Sequence, residues 1–253
     1  LAKYKFIKKI INSPSGSDES LSIGACFYLN RKNQSEILKN IYLGKQLIDD
    51  DKDLLSVIKK KFNSKKFQIS KVKTDKIGYL LHKNQIIAIA DGREEFGARA
   101  LGARSIIANP SSFSNVQKIN EFIKSRDFWM PFALSILKKH QHNFIENPKK
   151  LESKFMNLSF DTKFINHNKI KAGCHPYDKT VRPQFIDKNI NKNFYEIIDS
   201  FYKITKIPAL LNTSLNLHGN PKCSDLYDVI NTFIGSDLRY LYLQNKFLIK
   251  KLN

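Results

Sequence analysis

Arginine is scarce in this 253-residue chain. Of 43 basic residues only seven are arginine, at positions 31, 93, 99, 104, 126, 182 and 239; the rest are lysine. Long apolar runs are also missing. The longest, such as "QIIAIA" and "IPALL", fall far short of the ~20 residues that cross a bilayer. The opening "LAKYKFIKKIINS" has no apolar core of the signal-peptide kind. No membrane partner is therefore expected, and the expected location is the cytoplasm. The three cysteines, Cys26, Cys174 and Cys223, are odd in number and far apart. That spacing excludes a disulfide framework and a CxxC metal pair and predicts reduced, inert packing residues. There is no HExxH and no serine elbow, which argues against zinc proteolysis and acyl-enzyme chemistry.

What is present is a 42% hydrophobic chain, enough for a sizeable core, with a net charge of +20. Such a charge invites nucleic acid as partner. The lysines, however, are scattered in short runs among asparagine and isoleucine, as in "IKKKFNSKKFQISKVKTDK", and read as solvated faces. Nucleic acid is not the expected partner. Against this lysine background, four of the seven arginines fall between 93 and 126. A guanidinium grips phosphate or carboxylate through two parallel hydrogen bonds, which an ammonium cannot do with the same geometry.

Residues 1–30 read as a strand or short helix, the loop "SPSGSDES" and the apolar segment "LSIGACFYL"; 31–75 read as a connector holding one amphipathic helix, with Leu54, Leu55, Ile58 and Phe62 on one face. From residue 76 short strands alternate with helices. "QIIAIADG", "SIIANP", "PFALSIL" and "IPALLNTS" are expected strands; "NVQKINEFIKS" and "FYEIIDSFYKIT" are expected helices. Ser224 is the expected N-cap of a helix over "DLYDVINTFIGS", and a hairpin should turn at Gln244 and Asn245. The pattern implies an α/β or α+β domain.

Four polar segments recur at strand ends. "EEFGARALGARSIIANP" combines Gly97, Gly102, Arg99 and Arg104, a backbone and cation set suited to anions, although its spacing matches neither the P-loop nor the Rossmann fingerprint. "KSRDFWMPFALS" carries Lys124 and Arg126. "HPYDKTVRPQF" carries His175, Asp178, Lys179, Arg182 and Gln184. "LLNTSLNLHGNP" releases Asn212, Thr213, Ser214 and Asn216 after an apolar strand. Each alone is compatible with a polar loop. Together they suggest a site that positions phosphates and stabilises charge.

In order and spacing these segments resemble the C-terminal part of the O-carbamoyltransferases of the nodulation and antibiotic-tailoring type, and the resemblance covers essentially the whole chain. It implies a YrdC-like twisted mixed sheet with helices over 76–253, a linker over 31–75, and, over 1–30, the tail of an actin-like carbamoyl-transfer domain whose bulk lies upstream, so that the chain is a fragment or a split gene product. It further implies ATP and carbamoyl phosphate as substrates, carbamoyl-adenylate as product of the first step, and a sugar or natural-product hydroxyl as acceptor. By position, Lys124, Arg99, Arg104 and Arg182 would be catalytic, with Arg126, His175, Asn212 and Ser214 completing substrate and nucleotide binding. Asp18 matches an aspartate that helps hold a divalent metal, Mg or Fe, whose histidine partners would lie upstream. The missing actin-like domain is the expected partner, and a homodimer is left open. Met130 departs from an arginine common in the family, and Ala103, Leu134 and Asn109 from asparagine, proline and aspartate. Two other readings remain: a nucleotide-binding remnant without turnover, and an RNA-binding or tRNA-modifying relative.

Overall fold

The computed structural model describes residues 4–10, 12–33, 38, 40–48, 50–125 and 130–252. Among these residues eight strands form one mixed sheet: β1 (Phe67–Lys71), β2 (Ile87–Ala90), β3 (Arg104–Ala108), β4 (Ala133–Leu137), β5 (Pro183–Ile186), β6 (Ala209–Ser214), β7 (Tyr240–Leu243) and β8 (Phe247–Lys251), in spatial order β1-β8-β7-β2-β3-β6-β4-β5. The β2–β7 and β4–β5 pairs are parallel and the others antiparallel. The helices are α1 (Glu19–Leu29), α2 (Asp51–Lys61), α3 (Thr74–His82), α4 (Phe113–Ile119), α5 (His167–Ile170), α6 (Lys192–Thr205) and α7 (Leu226–Ile234).

The central strands β2, β3 and β4 are buried at every residue, and β2 accordingly reads as a continuous apolar run rather than an alternating one. α6 offers Phe194, Ile197, Ile198 and Phe201 to the core. It packs on α3 at a point where a Cβ on Gly78 would lie 2.4 Å from Ser200 Oγ, so only glycine allows that approach. The expected hairpin is present: Gln244 and Asn245 both have φ of 48°, the left-handed values a two-residue turn between twisted strands requires.

Two expectations change. The N-cap of α7 is Asp225, not Ser224. The Asp225 carboxylate accepts from the Tyr227 and Asp228 amides and Asp228 reciprocates, closing a capping box, while the Ser224 hydroxyl donates to Glu94 instead. Residues 51–71, read as connector, join the folded domain: β1 pairs with β8, and Leu54 and Ile58 of α2, with Phe62 just after it, are buried in the main core. The apolar segment "LSIGACFYL" is α1, whose residues are all at least partly exposed. Cys174 and Cys223 are buried and Cys26 is exposed, all as free thiols.

Candidate anion-binding site at the strand ends

The topology brings the four polar segments to one edge. β6 runs antiparallel to β3 and β4, with Ser214 opposite Ser105 and Asn212 opposite Ala133, and β5 runs parallel to β4. The end of β6 therefore lies level with the starts of β3, β4 and β5. Residues separated by more than a hundred positions meet there around a cavity of about 60 Å³, lined by Ala98, Arg99, Arg182, Asn212, Thr213 and Ser214, with Pro131 and Met156 among its apolar walls.

A buried amide chain forms its floor. Asn212 Nδ2 donates to the Ala100 carbonyl (3.2 Å) and to Ser135 Oγ (2.9 Å); Ser135 Oγ donates to Gln184 Oε1 (2.7 Å), and Gln184 Nε2 donates to the Leu101 carbonyl (3.0 Å). Because a carbonyl only accepts, Ala100 fixes which way the Asn212 amide faces. Its Oδ1 is left buried with no hydrogen-bond partner among the described residues. A buried acceptor without a donor is costly, and this one belongs to a residue that lines the cavity.

Lys124 stands beside this cavity. α4 continues into a single π turn, Asn120–Lys124, the local irregularity that often marks functional sites. Lys124 is 2% exposed, and its ammonium donates to Ser214 Oγ (3.2 Å) and to the carbonyl and side-chain oxygens of Asn216. His218 Nδ1 lies 2.6 Å from the Lys124 carbonyl, so that nitrogen carries the proton.

Arg99 and Arg104, five apart in sequence, have opposite environments. Arg99 is exposed at the cavity mouth. Close to it, the Glu19 carboxylate is held below its ordinary range first by the Ser15 hydroxyl, then by backbone amides, and last by Arg99 itself. Arg104 is fully buried, and its guanidinium donates to the carbonyls of Asp91 (3.0 Å), Ala103 (2.9 Å), Gly92 (3.2 Å), Lys45 (3.3 Å) and Ser224 (3.1 and 3.2 Å). Arg104 is an expected phosphate-binding residue, and in this structure its donors frame the glycine loop. Burial pulls its pKa down, opposed by Glu95, Glu94 and Asp91.

Two buried charges in this region went unflagged in the sequence. Glu95, 1% exposed, accepts at Oε1 from the amides of Leu101 (2.7 Å), Ala103 (2.6 Å) and Arg104 (3.1 Å). Lys222 Nζ lies 3.2 Å from Glu95 Oε2 and donates to the carbonyls of Glu95 (2.6 Å) and Gly97 (3.2 Å). Burial alone would push the Glu95 carboxyl up; Lys222 and the loop amides outweigh it and hold it below the ordinary value. The connector adds a strap. Gly44 and Leu47 amides donate to the carbonyls of Glu94 and Gly92, Phe96 donates to Ile41, and the Tyr42 hydroxyl donates to the Leu101 carbonyl (2.8 Å).

The remaining expected residues fall elsewhere. His175 does not line the cavity; its ring faces Asp178 at 3.2 Å in an exposed turn. Arg126 lies outside the described residues. Asp18 caps α1 without a side-chain bond, and among the described residues no three His, Cys, Asp or Glu side chains gather as a metal set. Larger hollows of about 690 and 720 Å³ lie between the N-terminal segment and residues 146–161. Neither is lined by an arginine or by the strand-end amides.

A family model described as carbamoyltransferase C-terminus matches residues 78–251. The uncharacterized protein MJ1051 of Methanocaldococcus jannaschii is 38% identical over 243 residues, spanning 94% of this chain and 46% of that protein. The nodulation protein NolO of Bradyrhizobium diazoefficiens is 31% identical over 251 residues, spanning 96% of this chain and 44% of that protein. Among solved structures, P. abyssi Sua5 complexed with L-threonine aligns with a TM-score of 0.47 at 16% identity, over 69% of this chain and 48% of that one. The chain spans about half the length, or less, of the curated relatives it matches.

Proposed function

Because the chain belongs to the carbamoyltransferase C-terminus family, we propose that its strand-end cavity takes the carbamoyl and phosphate groups of carbamoyl phosphate beside ATP and forms carbamoyl-adenylate. Water releases phosphate and carbamate from carbamoyl phosphate. A carbamate oxygen then attacks the α-phosphorus of ATP, and the bond from that phosphorus to the bridging oxygen breaks, so that pyrophosphate leaves. The carbamoyl group is destined for a sugar or natural-product hydroxyl, AMP being the leaving group.

The observation that carries this reading is the pairing of cations with one orphaned acceptor. Arg99 and Arg182 line the cavity together with Ser214, and Lys124 reaches the same hydroxyl. These groups suit phosphoryl oxygens and the charge that develops on transfer. Asn212 Oδ1 instead needs a donor, which a bare phosphate dianion lacks and a carbamoyl NH₂ supplies. At about 60 Å³ the cavity exceeds the roughly 10–15 Å³ that a single water needs, so it admits a small polar ligand group. The nucleotide would extend outward through the mouth, past Arg99.

The test is pyrophosphate release from ATP with and without carbamoyl phosphate. Arg99→Lys and Arg182→Lys keep the charge and remove the fork. Each should cost about 2–4 kcal/mol of transition-state stabilisation, the scale of one preorganised donor, or roughly 30- to 1,000-fold in rate. Arg31→Lys, whose guanidinium lies over the exposed Tyr28 ring, should change little. Release that does not depend on carbamoyl phosphate would defeat the reading.

A further inference from the structure

We infer that Glu95 and Lys222 form a two-sided pin that positions Arg99, and that both are positioning residues for anion capture in the cavity; this rests on the site reading above. Glu95 Oε1 holds the amides of Leu101, Ala103 and Arg104, the downstream arm of the glycine loop. Lys222 Nζ holds the carbonyls of Glu95 and Gly97, the upstream arm, and is tied to Glu95 Oε2 at 3.2 Å. Only residues 98–100 lie between the two arms, and Ala98, Arg99 and Ala100 all line the cavity. The tether is too short for Arg99 to move independently of its anchors.

The pin also reaches across the sheet edge. Lys222 follows β6 and the Asn216 turn, so one ion pair ties the loop before β3, which supplies Arg99, to the loop that leaves β6 directly after Ser214. Gly97 and Gly102 have φ of 94° and 105°, so the chain turns sharply on either side of Arg99. A backbone of this kind, with carbonyls and amides facing inward, needs a donor and an acceptor in its centre. The pair Lys222 and Glu95 is that centre. Both side chains are nearly or fully buried, at 7% and 0% exposure, so neither is itself placed to meet a ligand.

The probe is inorganic pyrophosphate, bound to the full chain and followed by calorimetry. Lys222→Met leaves a buried carboxylate without its partner and risks unfolding. The paired variant Glu95→Gln with Lys222→Met removes both charges and keeps an oxygen facing the three amides. This pair should fold yet bind pyrophosphate roughly 10- to 100-fold more weakly, the scale of losing outer-shell partners, whereas Lys222→Arg should stay within about threefold of the unaltered chain. Coupling decides that the effect runs through Arg99: in an Arg99→Ala background the paired substitution should produce no further loss. Unchanged affinity in the folded paired variant, or a full additional loss in the Arg99→Ala background, would overturn the positioning role while leaving the site reading intact. No pyrophosphate binding by the unaltered chain would overturn both.

Discussion

Replacing Arg104 by lysine separates framework from site. The substitution keeps the positive charge, so a residue that merely supplied charge would tolerate it. Arg104 presents five N–H donors, and they meet the carbonyls of Asp91, Ala103, Gly92, Lys45 and Ser224. An ammonium has three donors on a differently shaped stem, so at least two of these charge-assisted bonds go unmade. A hydrogen bond to a charged group contributes about 1.5–3 kcal/mol, which makes the total about 3–6 kcal/mol. Domains of this kind are stable by about 5–15 kcal/mol, so a large share of the margin is at stake. With a urea dependence of about 1–3 kcal/mol per molar, the unfolding midpoint should fall by roughly 1–3 M at an unchanged slope. The assay is urea unfolding followed by circular dichroism, alongside pyrophosphate binding by the fraction still folded, which should remain close to normal. A stability within about 0.5 kcal/mol of the unaltered chain, the range of inconsequential substitutions, together with abolished pyrophosphate binding, would show that the guanidinium serves the ligand and that the framing role is mistaken.

Asp91 offers a pH test. Burial raises its pKa, against the pull of Asn193, Arg104 and the Gly92 amide. A carboxyl with a raised folded pKa binds its proton more tightly when folded, so its ionisation weakens the fold at neutral pH, and that penalty lifts as pH falls through the raised value toward the ordinary carboxylate range. Asp91→Asn should therefore raise the neutral-pH urea midpoint and reduce its pH dependence in that window, and parallel profiles for the two proteins would refute the assignment. Asn212 sets a selectivity. Acetyl phosphate replaces the carbamoyl NH₂ with a methyl group and leaves Asn212 Oδ1 unpaired, so it should compete roughly 10- to 100-fold less well than carbamoyl phosphate, the equivalent of about 1–3 kcal/mol. Asn212→Ala should erase the preference in the same competition assay, whereas equal competition in the unaltered chain would show that Oδ1 meets no donor.

The sheet was readable wherever burial is two-sided, because "QIIAIA" and "IPALL" leave few alternatives to a central strand. The hairpin was readable from Gln244 and Asn245, which tolerate left-handed backbone. β1 was not, since "FQISK" is a half-exposed edge strand whose apolar residues are too few to stand out in a lysine-rich stretch. The gathering of Arg99, Arg182, Asn212 and Ser214 was anticipated from composition at the strand ends and from family resemblance. The split between Arg99 and Arg104 was not, because local sequence cannot say which of two nearby guanidiniums turns inward. Lys222 was hidden for the reason that made arginine visible: one more lysine in "GNPKCS" carries no contrast. Glu95 left a trace that could have been followed, a carboxylate at the head of a cationic glycine loop that has to find a cation or amides if it is buried.

The pairing of β1 with β8 also governs when the domain can close. Phe67 lies opposite Lys251, and Lys71 opposite Phe247, so the first strand of the sheet has no partner until nearly the last described residues exist. At roughly 5–20 residues per second of synthesis, β1 waits on the order of 10–40 s beside a growing chain. During that wait Phe67, Ile69 and the apolar face of α2 have no finished core to cover them. Contacts this distant in sequence slow closure after release as well. The nascent domain thus carries an open strand edge for most of its making, and the ribosome, not the finished sheet, sets how long that edge stays available to a chaperone or to another nascent copy.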